Sequence, residues 1–281
     1  MGMVTDQAES QTVFFYSQHP ISSGMILAKL QASRGHTDNV QPPELWPHDQ
    51  DHFGGTAATD ALVRQAGIAK GMHVVDFCAG LGGTVRYLAH CYDVTVTGIE
   101  LTPARVAGAQ QLMDLVGLQD RARVIQGDVM DVPLGESCAD MVISQEALCH
   151  VPDLHRTMAE AFRLLKKGGR LAFTSWIANR PLSDADAKLM WDGMAIQPVQ
   201  SIASYRTLVE AAGFHQISTT DLTGEWGPIL TQRLAMYQKL REEARQAGTP
   251  TGHDAFHLSY VRFVELVQQG ALGGIRLIAV K

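Results

Sequence analysis

The feature that most constrains this chain is a glycine-rich turn inside the stretch VVDFCAGLGGTVRYLA at residues 74–89. An apolar run carrying one acid, Asp76, comes first, and three glycines then fall within four positions. The apolar run predicts a buried strand, and the segment GTVRYLAHCY predicts a helix. A strand joined to a helix by a tight turn predicts the first βαβ unit of a parallel sheet.

The same alternation of strand and helix continues along the chain. Strands are predicted at residues 73–80, 94–100, 122–128, 139–147, 170–176, 215–223 and 274–281. Helices are predicted at residues 56–67, 83–92, 102–117, 153–169, 203–213, 228–248 and 255–270, and the basic LLKKGGR is interpreted as a helix end. The helices around residues 224–270 interrupt the last two strands, so we expect an insertion that caps the functional site.

The N-terminal segment, residues 1–55, differs from the remainder at residues 56–281. Its last part, QPPELWPHDQDHFGG at residues 41–55, is rich in Pro and Gly and predicts irregular structure. It also holds Trp46 and Phe53, too much apolar surface for a simple linker. We therefore expect an ordered arm or lid packed on the main domain.

Composition excludes several classes of protein. The 281 residues carry a formal net charge of −6, which disfavours a nucleic-acid partner. The 4 cysteines form no CxxC pair, which disfavours a zinc or redox site and predicts reduced thiols in a cytoplasmic protein. No signal-peptide pattern and no membrane-span pattern is visible.

The glycine turn separates three kinds of ligand. A dinucleotide fingerprint needs a third glycine or alanine, but after Gly80 and Gly82 that position is Val85. A nicotinamide-dependent oxidoreductase is therefore disfavoured, and a P-loop lacks its Gly-Lys-Ser/Thr ending. Asp76, four residues before Gly80, repels a pyrophosphate and suits a ligand that carries a cationic group.

Two more acids follow at the ends of the next two predicted strands. Glu100, in GIEL, can accept hydrogen bonds from both ribose hydroxyls. Asp128, in QGDV, can accept from an exocyclic amine, and Val129 offers a backbone N–H to a ring nitrogen. Each acid alone is equally well explained as a helix cap. Three acids in this order favour a nucleoside without phosphate.

The motifs VVDFCAGLGG, GIEL, QGDV and LLKKGGRL resemble those of the class I S-adenosylmethionine-dependent methyltransferases. The resemblance implies an α/β, Rossmann-like sheet of seven strands with helices on both faces, plus the N-terminal arm and the helical cap insertion. It implies S-adenosylmethionine as cofactor and S-adenosylhomocysteine as product. The cofactor-binding residues it implies are Asp76, Ala79, Gly80, Gly82, Glu100, Leu101, Asp128, Val129 and Gln145.

The second reactant is expected beside SQEALCHVPD, which follows the fourth strand. Glu146 and His150 are four residues apart, so a helical turn beginning there would place both on one face, where the carboxylate orients the imidazole. The stretch resembles the phosphoethanolamine methyltransferases through Glu146, Ala147 and His150, and the glycine, sarcosine and dimethylglycine methyltransferases through Gln145, Glu146 and Ala147. By the first resemblance, Tyr16 of the arm joins His150 in catalysis.

Candidate acceptor-binding residues are drawn from the arm, the fifth strand and the cap. Arg180 could clamp a carboxylate, and the aromatic residues could cage a cation. The set predicted to bind substrate is His48, His52, Trp176, Arg180, Tyr205 and Trp226. No metal is predicted, because nothing completes a site around the two histidines.

The sequence thus predicts methyl transfer to a small-molecule acceptor, with an amine nitrogen favoured and His150 and Glu146 assisting deprotonation. Two alternatives stay open: C- or O-methylation of a small metabolite, and a non-catalytic sensor that binds the cofactor. No nucleic acid or membrane partner is expected, and a homodimer is compatible with the sequence.

Overall fold

The computed structural model describes residues 2–17, 21–246 and 254–281. The strands are β1 (His73–Phe77), β2 (Thr95–Glu100), β3 (Ala122–Gln126), β4 (Ala139–Gln145), β5 (Leu165–Ala178), β6 (His215–Asp221) and β7 (Leu272–Val280). The helices are α1 (Gly2–Ser17), α2 (Ser23–Arg34), α3 (Pro42–Asp49), α4 (Gly55–Gln65), α5 (Gly83–Cys91), α6 (Pro103–Leu115), α7 (Leu154–Leu164), α8 (Asp184–Met194), α9 (Ile202–Ala211), α10 (Thr223–Gln246) and α11 (Asp254–Gln268).

The strands form one 7-stranded sheet in the order β3-β2-β1-β4-β5-β7-β6. Strands β1 to β5 run parallel to one another, and β7 runs antiparallel to both β5 and β6. The strand order reverses between β1 and β4, where the carboxyl ends of both strands open a crevice. The predicted seven-stranded α/β fold is confirmed.

The sheet is buried on both faces, as parallel strands require. Neighbouring residues of β1 show this directly: Val75 and Phe77 belong to one apolar cluster, and Val74 belongs to the other. The helices that connect parallel strands cover the two faces and complete the two layers of core. The carboxyl ends of the strands are left as the edge available to a ligand.

The N-terminal arm is helical, so the prediction of irregular structure at residues 41–55 was wrong for its first half. Helix α3 begins with Pro42, at a position where the missing N–H of proline is tolerated. Gln41 and Glu44 form a reciprocal capping box that fixes the start of this helix. Leu45 of α3 packs in one buried cluster with Leu112 of α6. The arm is therefore packed on the main domain.

Helix α7 ends at Leu164, five residues before the end that the sequence predicts. The segment LKKGGR is instead the beginning of β5, where Leu165 pairs with Ala139 of β4. The ammonium of Lys166 lies 2.8 Å from the carboxylate of Asp140. The two lysines and two glycines were predicted to end the helix, but pairing with β4 makes them part of a strand instead.

Helices α10 and α11 lie between β6 and β7 in the chain, where the sequence predicts an insertion. They pack around the end of β5 through an aromatic cluster in which the rings of Trp176 and Phe263 stack 3.9 Å apart.

Within the described ranges, no helix is both long and apolar enough to cross a membrane.

Candidate active site

A cavity opens at the carboxyl ends of the parallel strands, beneath the arm and the cap. Helix α1 contributes to its wall, as do the loops after β1, β2, β3 and β4, together with α10 and α11. Twelve of the residues predicted from sequence line this cavity: Tyr16, His52, Asp76, Ala79, Gly80, Glu100, Leu101, Val129, Gln145, Glu146, His150 and Trp176. The structure therefore brings together residues from the predicted cofactor, catalytic and substrate sets.

The glycine turn contributes to the wall of this cavity and contacts the arm. Gly80 and Gly82 have φ angles of +56° and +73°, in the left-handed region that favours glycine. Gly80 lines the cavity, whereas Gly82 precedes α5 and lies against Val124. A Cβ atom at Gly83 would overlap the carbonyl oxygen of Asp49, so this glycine is required by the arm.

Glu100 holds the glycine turn from the end of β2. Its carboxylate accepts a hydrogen bond from the Gly80 N–H at 2.9 Å and another from the Thr102 N–H at 2.8 Å. A carboxylate offers about four acceptor sites, so these two bonds leave capacity for ligand hydroxyls. Glu100 is therefore both a brace for the turn and a candidate ribose acceptor.

Asp76 lies deep in the cavity, with only 3% of its surface exposed. Burial, and to a smaller extent the neighbouring charge of Glu100, raises the pKa of this carboxyl to about 8. Among the described residues, no hydrogen bond reaches the Asp76 carboxyl group. A buried acid of this kind fits a ligand that brings a positive charge.

Asp128 and Val129 occupy the turn after β3. The Asp128 carboxylate accepts from the Met130 N–H at 2.8 Å, so it also caps the turn. Val129 lines the cavity, but Asp128 does not appear among the lining residues of the described chain. Of the two residues predicted to contact adenine, the structure therefore places Val129, but not Asp128, on the wall of the cavity.

Tyr16 and His150 meet inside the cavity. The Tyr16 hydroxyl lies 2.9 Å from Nε2 of His150, and Nδ1 of the same ring lies 3.2 Å from the carbonyl oxygen of Ala195. A carbonyl can only accept, so in the neutral ring Nδ1 carries the proton and Nε2 accepts from the tyrosine. Burial raises the pKa of Tyr16 well above its usual value, while the Arg105 guanidinium, 4.6 Å above the tyrosine ring, lowers it.

Glu146 has partners other than the predicted imidazole. Its carboxylate accepts from the Phe53 N–H at 2.5 Å and from the Thr174 hydroxyl at 3.0 Å. A helical turn does not begin at Glu146, which has a φ angle of +52°; a short 3₁₀ helix begins later, at Leu148. Burial raises the pKa of Glu146 to about 7, against the opposing effect of the Phe53 hydrogen bond. The carboxylate therefore fastens the arm to the sheet.

Two of the six predicted substrate-binding residues line the cavity. His52 contacts the Gly55 carbonyl and the Thr59 hydroxyl, each at 3.0 Å, and burial lowers its pKa to about 4, so the ring is neutral. Trp176 lies near Phe53 and Phe263, with ring centroids 6.4 Å and 3.9 Å away. Gln145, from the cofactor set, accepts from the Thr59 hydroxyl at 3.1 Å.

The other four predicted substrate residues lie outside the part of the described chain that lines this cavity. His48 is half-buried on α3, and Arg180 is exposed in the loop after β5. The Tyr205 hydroxyl bonds to the Ser175 hydroxyl at 2.7 Å, so its buried ring serves the core. Trp226 packs edge-on against the ring of Phe53. Their predicted contact with substrate has no support in the structure.

Several residues that line the cavity were not predicted from the sequence, and they come from the arm, α6, the segment around the end of α8, and the cap. The most prominent are Phe15, Arg105, Met194, Ile196, Arg233, Tyr237, Phe256 and Tyr260. A signal for two of them was present, because Phe256 and Tyr260 are spaced four apart on one face of α11. The described residues contain no group of three or more His, Cys, Asp or Glu side chains arranged to hold a metal ion.

Comparison with known proteins agrees with this geometry. Residues 75–173 match the family model described as a methyltransferase domain. The 27-O-demethylrifamycin SV methyltransferase of Amycolatopsis mediterranei (strain S699) is 28% identical over 229 residues, which cover 80% of this chain and 83% of that protein. The sarcosine/dimethylglycine N-methyltransferase of Halorhodospira halochloris is 29% identical over 194 residues, covering 69% of this chain and 66% of that protein.

A solved structure shows the same fold. The phosphoethanolamine N-methyltransferase 2 of Haemonchus contortus, in complex with S-adenosyl-L-methionine, superposes with a TM-score of 0.73 at 17% identity. The match covers 91% of this chain and 60% of that one. Fold and site together define a methyltransferase that acts on small molecules. The match over residues 75–173 and the seven-stranded fold support a class I S-adenosylmethionine-dependent methyltransferase.

Proposed function

We propose that this methyltransferase transfers a methyl group to an amine nitrogen of a small molecule, with His150 receiving the proton that the amine must lose. The observation that carries this proposal is the contact of 2.9 Å between the Tyr16 hydroxyl and His150 Nε2. Both side chains line the same cavity as the glycine turn and Glu100. A basic nitrogen and the cofactor-binding edge therefore face one enclosed space.

The residues at the strand ends fit S-adenosylmethionine. Gly80 brings the backbone of the turn to the cavity wall, Glu100 keeps acceptor capacity, and Asp76 is a buried acid without a partner among the described residues. We assign Glu100 to the ribose, Val129 to the adenine and Asp76 to the positively charged methionine part. When bound, the cofactor supplies a methyl group on a sulfonium, whose thioether is a good leaving group.

The protein must also align the acceptor with the methyl group of the cofactor and remove a proton from the acceptor. Holding two reactants in line contributes roughly 7–11 kcal/mol to lowering a barrier of this kind. An alkylamine is protonated at neutral pH and has no free lone pair until it loses that proton. Nε2 of His150 is the acceptor for it, and general base assistance contributes on the order of 10²–10⁴-fold. The Tyr16 hydroxyl completes a hydrogen-bonded path to that nitrogen.

The charge of the cavity supports a cationic acceptor. Six carboxyl groups line it, those of Glu9, Asp49, Asp51, Asp76, Glu100 and Glu146. Two guanidinium groups, of Arg105 and Arg233, oppose them within the described lining. Burial leaves Asp76 largely and Glu146 partly protonated at neutral pH, because it raises their pKa values to about 8 and about 7. The remaining carboxylates attract an ammonium group by charge, and the aromatic walls attract it by cation–π contact.

A second candidate is O-methylation of a hydroxyl on an apolar molecule. The aromatic wall formed by Trp176, Phe256 and Tyr260 favours it, since such a wall binds apolar rings. A hydroxyl must also lose its proton, so His150 has the same role in both candidates.

We further propose that the arm, residues 1–55, and the cap insertion, residues 224–270, close over the bound reactants. Three contacts support closure from both sides. Tyr16 of the arm reaches His150, the Phe53 N–H reaches Glu146, and Arg233 of α10 donates to the carbonyl of His52 at 2.7 Å.

Transfer from a cofactor bearing a CD3 methyl group distinguishes the candidates. The protein is incubated with primary and secondary amines and with alcohols of the same carbon skeleton, and products are analysed by mass spectrometry with fragmentation. The proposal predicts label on nitrogen. Label found on oxygen alone would contradict N-methylation and support O-methylation, the second candidate. Tight cofactor binding without transfer to any acceptor would contradict both and favour a binding-only role.

A further inference from the structure

The half of the cavity away from the glycine turn has a distinct chemistry. Six side chains from five elements or loops form it, and we call it the aromatic chamber: Phe15, Trp176, Ile196, Tyr237, Phe256 and Tyr260. These rings contact one another, with Phe15 and Phe256 centroids 6.0 Å apart and Phe256 and Tyr260 centroids 5.7 Å apart. The chamber is therefore a continuous apolar wall contributed jointly by the arm, the sheet and the cap.

The cations nearest this chamber already have partners. Arg233 donates to the carbonyl oxygens of Asp51 at 3.0 Å and His52 at 2.7 Å, and its guanidinium lies 5.0 Å from the Phe53 ring centroid. Arg105 lies over the Tyr16 ring and 3.5 Å from the Asp51 carboxylate. Within the described lining, both guanidinium groups thus hold the arm in place.

Two histidines, His52 and His150, belong to the described lining of the cavity. His52 is neutral, because burial lowers its pKa to about 4. Nε2 of His150 accepts from the Tyr16 hydroxyl when its ring is neutral. Arg180, the cation that the sequence suggested for binding a carboxylate, is exposed in the loop after β5 and lies outside the lining. A carboxylate or phosphate entering the chamber would meet carboxyl groups and aromatic faces.

We propose that the aromatic chamber selects acceptors that are apolar and either uncharged or cationic, and that it rejects acceptors bearing a carboxylate or a phosphate. The proposal rests on the proposed function in taking the chamber as the acceptor site. An anion buried without a partner is strongly disfavoured, and the surrounding carboxylates repel it as well. The acceptors named for the sarcosine/dimethylglycine and phosphoethanolamine methyltransferases both carry such an anion, so we expect this chain to differ from both.

Binding to the protein saturated with S-adenosylhomocysteine tests this selection without requiring turnover. Tyramine is compared with tyrosine, and 2-naphthol with 6-hydroxy-2-naphthoate, by isothermal titration calorimetry at low salt. Sarcosine, which carries a carboxylate, and phosphoethanolamine, which carries a phosphate, serve as small probes. We expect the member of each pair without the carboxylate to bind about tenfold or more tightly, since a charge in a poorly screened site has an effect of this order.

Each outcome of the titration decides the proposal. Equal or tighter binding of the carboxylate members, or of sarcosine or phosphoethanolamine, would overturn it. Binding of no probe, by protein shown to bind S-adenosylhomocysteine, would overturn it as well. Tight binding of the uncharged and cationic probes without methyl transfer to either would leave the selection standing and count against the proposed function. The two failures are therefore distinguishable.

A charge placed in the chamber provides a second test. Phe256→Arg introduces a cation into the wall, and Leu258→Arg introduces the same cation on the same helix at a site that is 57% exposed. We expect Phe256→Arg to reduce the preference for tyramine over tyrosine by about tenfold and Leu258→Arg to leave it unchanged. Affinity for S-adenosylhomocysteine reports that each variant is folded. An unchanged preference in folded Phe256→Arg would overturn the proposal.

Discussion

The hydroxyl of Tyr16 and Nε2 of His150 lie 2.9 Å apart although 134 positions separate them in the chain. The tyrosine comes from the first helix and the histidine from the loop after β4, so the arm completes the wall of the cavity. Arg105 of α6 lies over the tyrosine ring and fixes the approach of the arm. The arm is therefore part of the candidate active site.

Removing the tyrosine hydroxyl should impair turnover and spare cofactor binding. Tyr16→Phe keeps the ring beneath Arg105 and deletes the hydrogen bond to His150. We expect kcat to fall by roughly 10- to 100-fold, the lower part of the range for general acid–base groups. Steady-state kinetics with a labelled cofactor measure this. Phe14→Tyr, at a site that is 57% exposed on the same helix, should behave as wild type. A Tyr16→Phe enzyme with unchanged kcat would remove the hydroxyl from the mechanism.

Glu100 should determine cofactor affinity. Glu100→Gln removes the charge and exchanges one acceptor oxygen for a donor that faces the N–H of Gly80 or Thr102. Hydrogen bonds to charged groups contribute about 1.5–3 kcal/mol, so affinity for S-adenosylhomocysteine should fall by roughly 10- to 100-fold. Calorimetry measures the constant. Glu136→Gln, at an exposed position, is the control. Equal affinity in Glu100→Gln and wild type would contradict the assignment to the ribose.

Asp76 should make the ligand-free protein less stable as pH rises. Its carboxyl has a pKa of about 8 in the folded protein, against 3.8 for an ordinary aspartate side chain. Between these two pH values the folded state binds more protons than the unfolded state, so the free energy of unfolding falls with increasing pH. Asp76→Asn carries no charge at any pH, and its melting temperature relative to wild type should rise from pH 5 to pH 8. If the difference in melting temperature between the two proteins stayed constant from pH 5 to pH 8, Asp76 would not be buried as described.

Gly83 should tolerate no side chain. A Cβ there overlaps the carbonyl oxygen of Asp49, whose side chain also pairs with the buried Arg86 at 2.8 Å. Gly83→Ala should therefore destabilise the protein by about 1–3 kcal/mol, as overpacking of a tight contact does. Thermal unfolding measures this. Gly135→Ala is the control, because nothing lies within 4 Å of the added atom and its φ is not positive. Equal stability of the two variants would contradict the close docking of α3 on the turn.

The positions of the predicted cofactor-binding residues at one edge of the sheet were predictable because their signals are local. Gly80, Glu100 and Val129 each follow a strand that its own residues specify, and parallel strands bring their carboxyl ends to one edge. The sequence indicated that the glycine turn binds a ligand, whereas the structure shows a different reason for the glycine at position 83. This glycine accommodates the carbonyl of Asp49, a contact between segments that no local pattern reveals.

The acceptor half depended on long-range packing and was predicted less well. The spacing of Glu146 and His150 suggested a shared helical face, but the positive φ of Glu146 turns the chain before the short helix begins. Tyr205 was expected near the acceptor and instead bonds to Ser175 in the core. Phe256 reaches the cavity only because α10 and α11 fold back over β5, which the sequence of α11 alone does not specify.

Single-turnover transfer by His150→Ala is the most direct test of the central claim, that His150 takes the proton of the acceptor. The variant is saturated with labelled cofactor and mixed with the best acceptor, and the rate of labelled product is followed from pH 6 to pH 10. We expect a rate roughly 10²–10⁴-fold below wild type at neutral pH, with cofactor affinity close to wild type. The deficit should shrink at high pH, where the acceptor loses its proton to water. A wild-type rate would contradict the claim, as would a parallel loss of cofactor binding and turnover.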